Sequence, residues 1–443
     1  MMTPARRRAL AVAQQGQALV LGMMLAGIAL AAFIRYFSTG QVVAAKARQT
    51  HALDAAAYSG ALIQARALNM MAYINRAHVG HQLALAHLVT LGSWAALGAT
   101  QARQLSMGNP PAHLIAMLFG PDHGAAYAAA GRASGLGRLA GSQGELAQAY
   151  AAHDHAMRNV LASVQGDIAR GLEQARWAGM QAVLKHNYPG GEPAMPFDLT
   201  IDDDGLPGYV RAYSGQKALR GLTEQVSRMY GFLSARDYTE KNAWAVDARC
   251  PASRHQLRRR GQTRLDALGR WQSIDTESFH ALRSNRWIGC YHREYAMGWG
   301  WIPSAVSQVM DQPHVEDPPE NFSDQDFWRW VQEATDWDIT SGSANPLANS
   351  NAAAAWQRWQ GGGLPAYFDT AGGADKALRF SVSLRHAGPN GLVVTTRSAA
   401  ETFYQRPQAR PDGLDETGNL FQPYWQARLA AHSSHAGLQR MLP

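Results

Sequence analysis

Charge is missing from a long stretch near the start of the chain: from Ala18 to Ile34 there is no charged residue and no proline. That excludes a surface helix of an ordinary water-soluble domain, which needs a polar face. With Gln17 before it and Tyr36 and Phe37 after it, the stretch reaches about 20 residues, roughly 30 Å as a helix, the thickness of a bilayer's hydrocarbon core. It is expected to be one membrane-spanning helix over 17–37, with Ala18, Leu21, Leu25, Ile28 and Phe33 as its anchoring residues. Arg35 near its end can carry its guanidinium to the headgroups, and Tyr36 and Phe37 suit the interface.

Arg6, Arg7 and Arg8 precede the stretch, while Arg35, Lys46 and Arg48 follow it. Long following domains are translocated largely regardless of charge, so a cytoplasmic N-terminus over 1–16 and an external remainder are expected. A second reading stays open, a cleaved secretory signal, because a basic start and an apolar run are both present. The run is longer than a usual signal core, and neither Ala29–Ala31 nor Ala45–Ala47 is well flanked for cleavage, which favours a retained anchor.

Cysteine is nearly absent: Cys250 and Cys290 are the two in 443 residues. A four-cysteine zinc site and a disulfide-dense scaffold are thereby excluded. Outside the cytoplasm the pair is a plausible disulfide; two unrelated buried thiols are the alternative. Lysine and arginine exceed aspartate and glutamate by 41 to 34, an excess too mild to imply a nucleic-acid partner. The Gly-x-Ser-x-Gly elbow, the phosphate-cradling loop, the dinucleotide fingerprint and His-Glu-x-x-His are all missing. No catalytic residue, cofactor or metal site is expected. The nearest metal candidates are His153, Asp154 and His155, and His78 with His81. On a helix, His153 and His155 point about 200° apart, and His78 and His81 lack an obvious third ligand. Asp202 to Asp204 before Gly205 lack the ligand spacing of a calcium loop and read as a turn.

Proline stays absent between Pro4 and Pro110, so an Ala-rich helical region is expected over 38–187, with weak points at Gly40, Gly60, Gly80 and Gly92. Asn69, Asn75 and Arg76 interrupt an apolar run and are expected at a helix–helix contact. Leu161, Val164, Ile168, Leu172 and Ala175 recur at helical spacing, predicting a face that packs back as an antiparallel hairpin. Eleven of the 13 tryptophans fall after residue 240, which marks an α+β domain over 188–443. Its strands are predicted at Phe197–Ile201, at Leu378–Leu384 and, after a turn at His386–Gly391, at LVVTT. From Trp287 to Trp301 the odd positions Trp287, Tyr291, Tyr295, Trp299 and Trp301 predict one aromatic strand face. Long loops are expected at 311–326 and 340–363. Arg254, Arg258, Arg259, Arg260 and Arg264 suit acidic lipid headgroups or a partner, or equally a solvated loop, and the tail Thr417–Ala430 is expected to dock through Phe421, Tyr424 and Trp425.

Two segments carry a family resemblance: GQALVLG at Gly16–Gly22, and STGQVVAAKARQTHALDAAAYSGAL at Ser38–Leu62, with Asp54–Ala57 about 20 residues beyond the span. Together with the basic start, they resemble the N-terminal region of TadG-like and TadE-like Flp (Tad) pilus-assembly proteins. The likeness continues more loosely through Gln64–His78. It implies a bacterial inner-membrane anchor, a periplasmic bulk, and helix–helix partners among pilus or secretion proteins, with oligomers possible. Prepilins carry a Glu at the fifth position after the cleaved Gly, whereas here that position after Gly16 is Leu21, which implies a permanent anchor.

The expected fold is therefore α+β and membrane-anchored, pilin-like in broad plan: one spanning helix continuing into a helical spine and hairpin, then a Trp-rich domain with antiparallel strands. The expected function is a non-catalytic pilus or secretion component. The alternatives are a tethered module binding cell wall or protein through the aromatic strand, or a metal-dependent enzyme.

Overall fold

A computed structural model describes residues 5–188, 197–212, 216–234, 236, 238–265, 269–287, 289–302, 359, 361–371, 377–414 and 416–431. Of the expected loops, 311–326 and most of 340–363 lie outside these residues. The first element is a single helix, α1 (Ala5–Met107), unbroken at Gly40, Gly60, Gly80 and Gly92. Two of these glycines are notches rather than weak points. A Cβ on Gly60 would lie 3.0 Å from Met180 and 3.1 Å from Phe380, and one on Gly92 would lie 2.6 Å from the Trp359 ring. The helix stops where Gly108 takes φ +66° and Pro110 follows.

Then come α2 (Ala112–Phe119), α3 (Pro121–Ala130), α4 (Leu136–Ala140) and α5 (Glu145–His155). A π-helical turn over Ala156–Leu161 joins α5 to α6 (Ala162–His186). The strands are β1 (Asp198–Asp204), β2 (Val210–Ala212), β3 (Tyr238–Lys241), β4 (Gln256–Leu265), β5 (Trp271–Asn285), β6 (Gly289–Ile302), β7 (Phe368–Thr370), β8 (Ala377–Ala387), β9 (Val393–Tyr404) and β10 (Trp425–Leu429), with α7 (Gln216–Ser227) after β2. The chain is thus a long N-terminal helix, apolar near its start, followed by antiparallel sheets.

It divides into two compact units. Unit 1 holds residues 1–73, 166–211 and 368–443. Its sheet has the order β1-β8-β9-β10, all antiparallel. Ala52, Leu53, Ala56, Ala57 and Ala61 of α1 bury against Phe380, Val382, Leu384 and Ala400, with Met180 and Leu184 of α6 closing the core. The β8–β9 hairpin and β1 fall where alternation predicts them, but β1 runs through Asp204 instead of turning at Asp202. A bulge between Ile201 and Asp203 absorbs the extra residue. The tail docks as expected: Leu420 and Trp425 are buried, and Asn69 exchanges two 2.9 Å hydrogen bonds with the Trp425 backbone.

The apolar face predicted for α6 needs correction. Val164 and Ala175 are exposed, while Arg176 is buried. Arg176 is neutralised by Asp204, donates to Gln64 at 3.2 Å and lies 4.9 Å above the Phe380 ring. Burial opposes ionisation of Asp204, but its hydrogen bonds from Arg176 and the Leu206 N–H prevail and hold its pKa low. A paired arginine occupies a core position that hydrophobic periodicity assigns to its neighbours.

Unit 2 holds residues 74–165 and 212–367, with a sheet of order β3-β4-β5-β6. Its apolar clusters join Leu85, Val89, Tyr150, Trp271 and Trp359, and separately Ile115, Leu118, Tyr127, Phe279 and Met297. Asn75 accepts from Gln165 at 2.8 Å, a helix–helix contact, whereas Arg76 is exposed.

Two further expectations fail here. The register shifts where Glu277 faces Gly298 but Ser278 faces Ala296, so Met297 bulges out of β6. Trp299 and Trp301 then share a face with Thr276 and Ile274, while Tyr295 falls on the other face with Phe279. The aromatic strand is split, and Trp299 and Trp301 are buried. The arginine cluster is not a loop either: Arg258, Arg259, Arg260 and Arg264 are residues of β4 and alternate across the sheet.

Candidate functional site

Three features stand out from the packed cores, taken in chain order. The first is the N-terminal part of α1. Leu21, Leu25, Ile28 and Phe33 are exposed, and so are Leu19, Val20, Met23, Met24, Leu30, Ile34, Tyr36 and Phe37; Ala18 is exposed as well. Covering these large side chains is worth on the order of 20 kcal/mol at 1.5–3 kcal/mol each. The stretch is long and apolar enough to cross a membrane.

The second lies in unit 2, where α1 meets its sheet. Small residues bring the two backbones together: a Cβ on Gly300 would sit 2.0 Å from the Ser93 carbonyl oxygen. Polar side chains fill the seam. Thr90 pairs with Thr263 at 2.7 Å, and Ser93 donates to Asp275 at 2.8 Å. The Thr100 hydroxyl donates to the Trp299 carbonyl and accepts from its N–H, both at 2.8 Å. Gln101 donates to Glu277 at 2.7 Å. Asp275, fully buried, accepts both arms of the Arg236 guanidinium at 2.7 and 2.9 Å, with Arg259 3.7 Å away. Burial pushes the Glu277 carboxyl up, against the pull of Arg259, His123 and the Gln101 amide. Every charged group in this seam has a partner, which is the arrangement of a structural network.

Beside it, the two histidine groups separated in sequence come together in part. His81 of α1 and His153 of α5 bring their Nδ1 atoms to 2.9 Å. Burial, and then the charge of His153, lower the pKa of His81. His78, fully buried and edge-on to Tyr367, is pushed down to about 4, chiefly by burial. Asp154 is held by Arg158 at 3.0 Å, and His155 is exposed. Among the described residues no three His, Cys, Asp or Glu side chains are grouped to hold a metal ion. The sequence separated these histidines by 72 positions, and only antiparallel packing of α5 on α1 joins them.

The third feature is the far end of unit 2. Cys250 and Cys290 form a disulfide with Cα atoms 6.0 Å apart. It ties the loop after β3 to the start of β6; Asp247 accepts from Ser284 on the β5 side, and Asn242 closes the loop through His255 at 2.8 Å. Two tryptophans stand out from this end, Trp244 at 47% and Trp287 at 87% exposure. The alternation of aromatics predicts Trp287 on one aromatic strand face, whereas it sits in the β5–β6 turn.

No protein-family model matches the chain, and no curated protein and no solved structure matches it.

Proposed function

We propose that the chain is a non-catalytic, inner-membrane-anchored component of a Tad/Flp-type pilus or related secretion apparatus, acting as a minor-pilin-like part or an assembly scaffold. The observation that carries this reading is the uncovered apolar stretch 18–37, continuous with the helix on which both units build their cores. The N-terminal resemblance of Gly16–Leu62 to Tad pilus-assembly proteins points the anchor to that machine. In this reading the N-terminus is cytoplasmic, the bulk is periplasmic, and the Cys250–Cys290 disulfide suits an oxidising compartment. Partners are met through helix–helix contacts of small residues in the bilayer. No residue performs covalent chemistry.

The test is fractionation of cells expressing the full chain with a C-terminal tag. Wild type is expected in the membrane fraction, with the tag lost when protease is added to spheroplasts. Leu21→Arg with Leu25→Arg is expected to abolish retention, since each arginine costs about 2.5–3.5 kcal/mol at the centre of a span. Unchanged retention, or a tag protected until lysis, would sink the proposal.

A further inference from the structure

The disulfide-braced end of unit 2 is built unlike the rest of its surface. Strand β6 runs antiparallel to α1: Gly300 lies against Ser93 and Gly298 against Leu97 and Gln101. From Trp299, which bonds Thr100, the strand continues ten residues to Gly289, about 33 Å, whereas α1 has seven residues left, about 10 Å. The β5–β6 turn therefore projects past the C-terminal end of α1, at the end of the unit away from where the helix enters it.

That end carries Trp244, Trp287, Arg249, Arg283 and Arg286, all exposed. The Arg286 guanidinium lies over one face of the Trp287 ring, 5.7 Å from its centroid, and at 87% exposure the indole keeps its other face open. Arg283 and Arg286 enter no ion pair among the described residues, and Arg249 reaches Asp247 only at 3.8 Å. Asp247 is occupied by Ser284. The surface is thus cationic, aromatic and held in place by a covalent bridge, a combination that lowers the ordering cost of binding.

From this we infer that the Trp244–Trp287 end is a docking surface for a carboxylate-bearing glycan of the cell wall. Indole faces, with their negative quadrupole, accept the C–H faces of sugar rings, and guanidinium forks match carboxylates. The charge of the surface selects an acidic polymer, and its position at a projecting turn suits a long chain laid across it. The inference rests on the periplasmic placement proposed above. It replaces Trp299 and Trp301, which are buried, as the aromatic contact.

The test is co-sedimentation of the full-length, detergent-solubilised protein with purified peptidoglycan sacculi, stripped of bound protein by protease. Wild type is expected to pellet, and to be released as salt rises from 50 to 500 mM. Trp244→Ala with Trp287→Ala, and separately Arg283→Ala with Arg286→Ala, are expected to lower retention at least tenfold with unchanged thermal unfolding. Equal retention of these variants overturns the inference, as does pelleting only with sacculi not treated with protease, which would assign the surface to an acidic protein. The variants should still fractionate with membranes, so failure here is distinct from failure of the anchor.

Discussion

The two units use one helix and one kind of sheet, yet join them by different chemistry. In unit 1 the α1–sheet contact is largely dry: Ala52, Leu53, Ala56 and Ala57 face Phe380, Val382 and Leu384. Its polar contacts there are few: Gln49 donates to the Leu384 and Val394 carbonyls, Thr402 donates to the Ala61 carbonyl, and Ser398 donates to the half-buried Asp54 carboxylate at 2.6 Å. In unit 2 the same helix meets its sheet through Thr90, Ser93, Thr100 and Gln101, and behind them stand two buried carboxylates. A dry contact loses stability in proportion to the atoms removed. A buried charged seam tolerates little, because deleting one partner strands the others in a medium that cannot solvate them.

The comparison can be broken most sharply at Asp275. Asp275→Ala leaves Arg236 without its carboxylate and should cost unit 2 about 4 kcal/mol. Hydrogen exchange read by mass spectrometry on the full chain should then speed up to roughly 10³-fold in peptides of β4–β6 and leave those of β8–β9 unchanged. Equal acceleration in both sets would end the claim that the seam belongs to unit 2 alone. The converse substitution, Leu53→Ala, removes a buried side chain from the dry contact and should cost unit 1 about 3 kcal/mol, with exchange rising in β8–β9.

A smaller effect is expected from pH. His78 has its pKa lowered to about 4 from 6.5, so the unfolded chain binds the proton more readily. The stability it contributes is therefore complete above 6.5 and is lost as pH falls toward 4. Between pH 8 and pH 5 the loss should be roughly 2 kcal/mol. Glu277, with a raised pKa, acts in the opposite sense, so the measurement is the difference between wild type and His78→Phe. Thermal unfolding curves that stay parallel for the two proteins across this range would refute the assignment to His78.

How much of this was legible beforehand depends on the interaction. Runs of one residue type, and alternation within one hairpin, are local, and they mark the apolar stretch 18–37, the proline-free α1 and the β8–β9 hairpin. The α6 face was misjudged because Arg176 looks solvent-facing until Asp204 is beside it. The strand of aromatics was misjudged because one extra residue, Met297, inverts every side chain on one side of it. His81 with His153, and Ser93 with Asp275, had no sequence signal at all, since nothing in a chain marks which polar groups will meet across 72 or 182 positions. Composition by itself determined that this protein has a long apolar helix and antiparallel strands, because hydrophobic pattern and proline act over a few residues. Only the tertiary structure decided which polar groups could be buried and which tryptophans left in water. Those choices turn on partners that chain folding brings together.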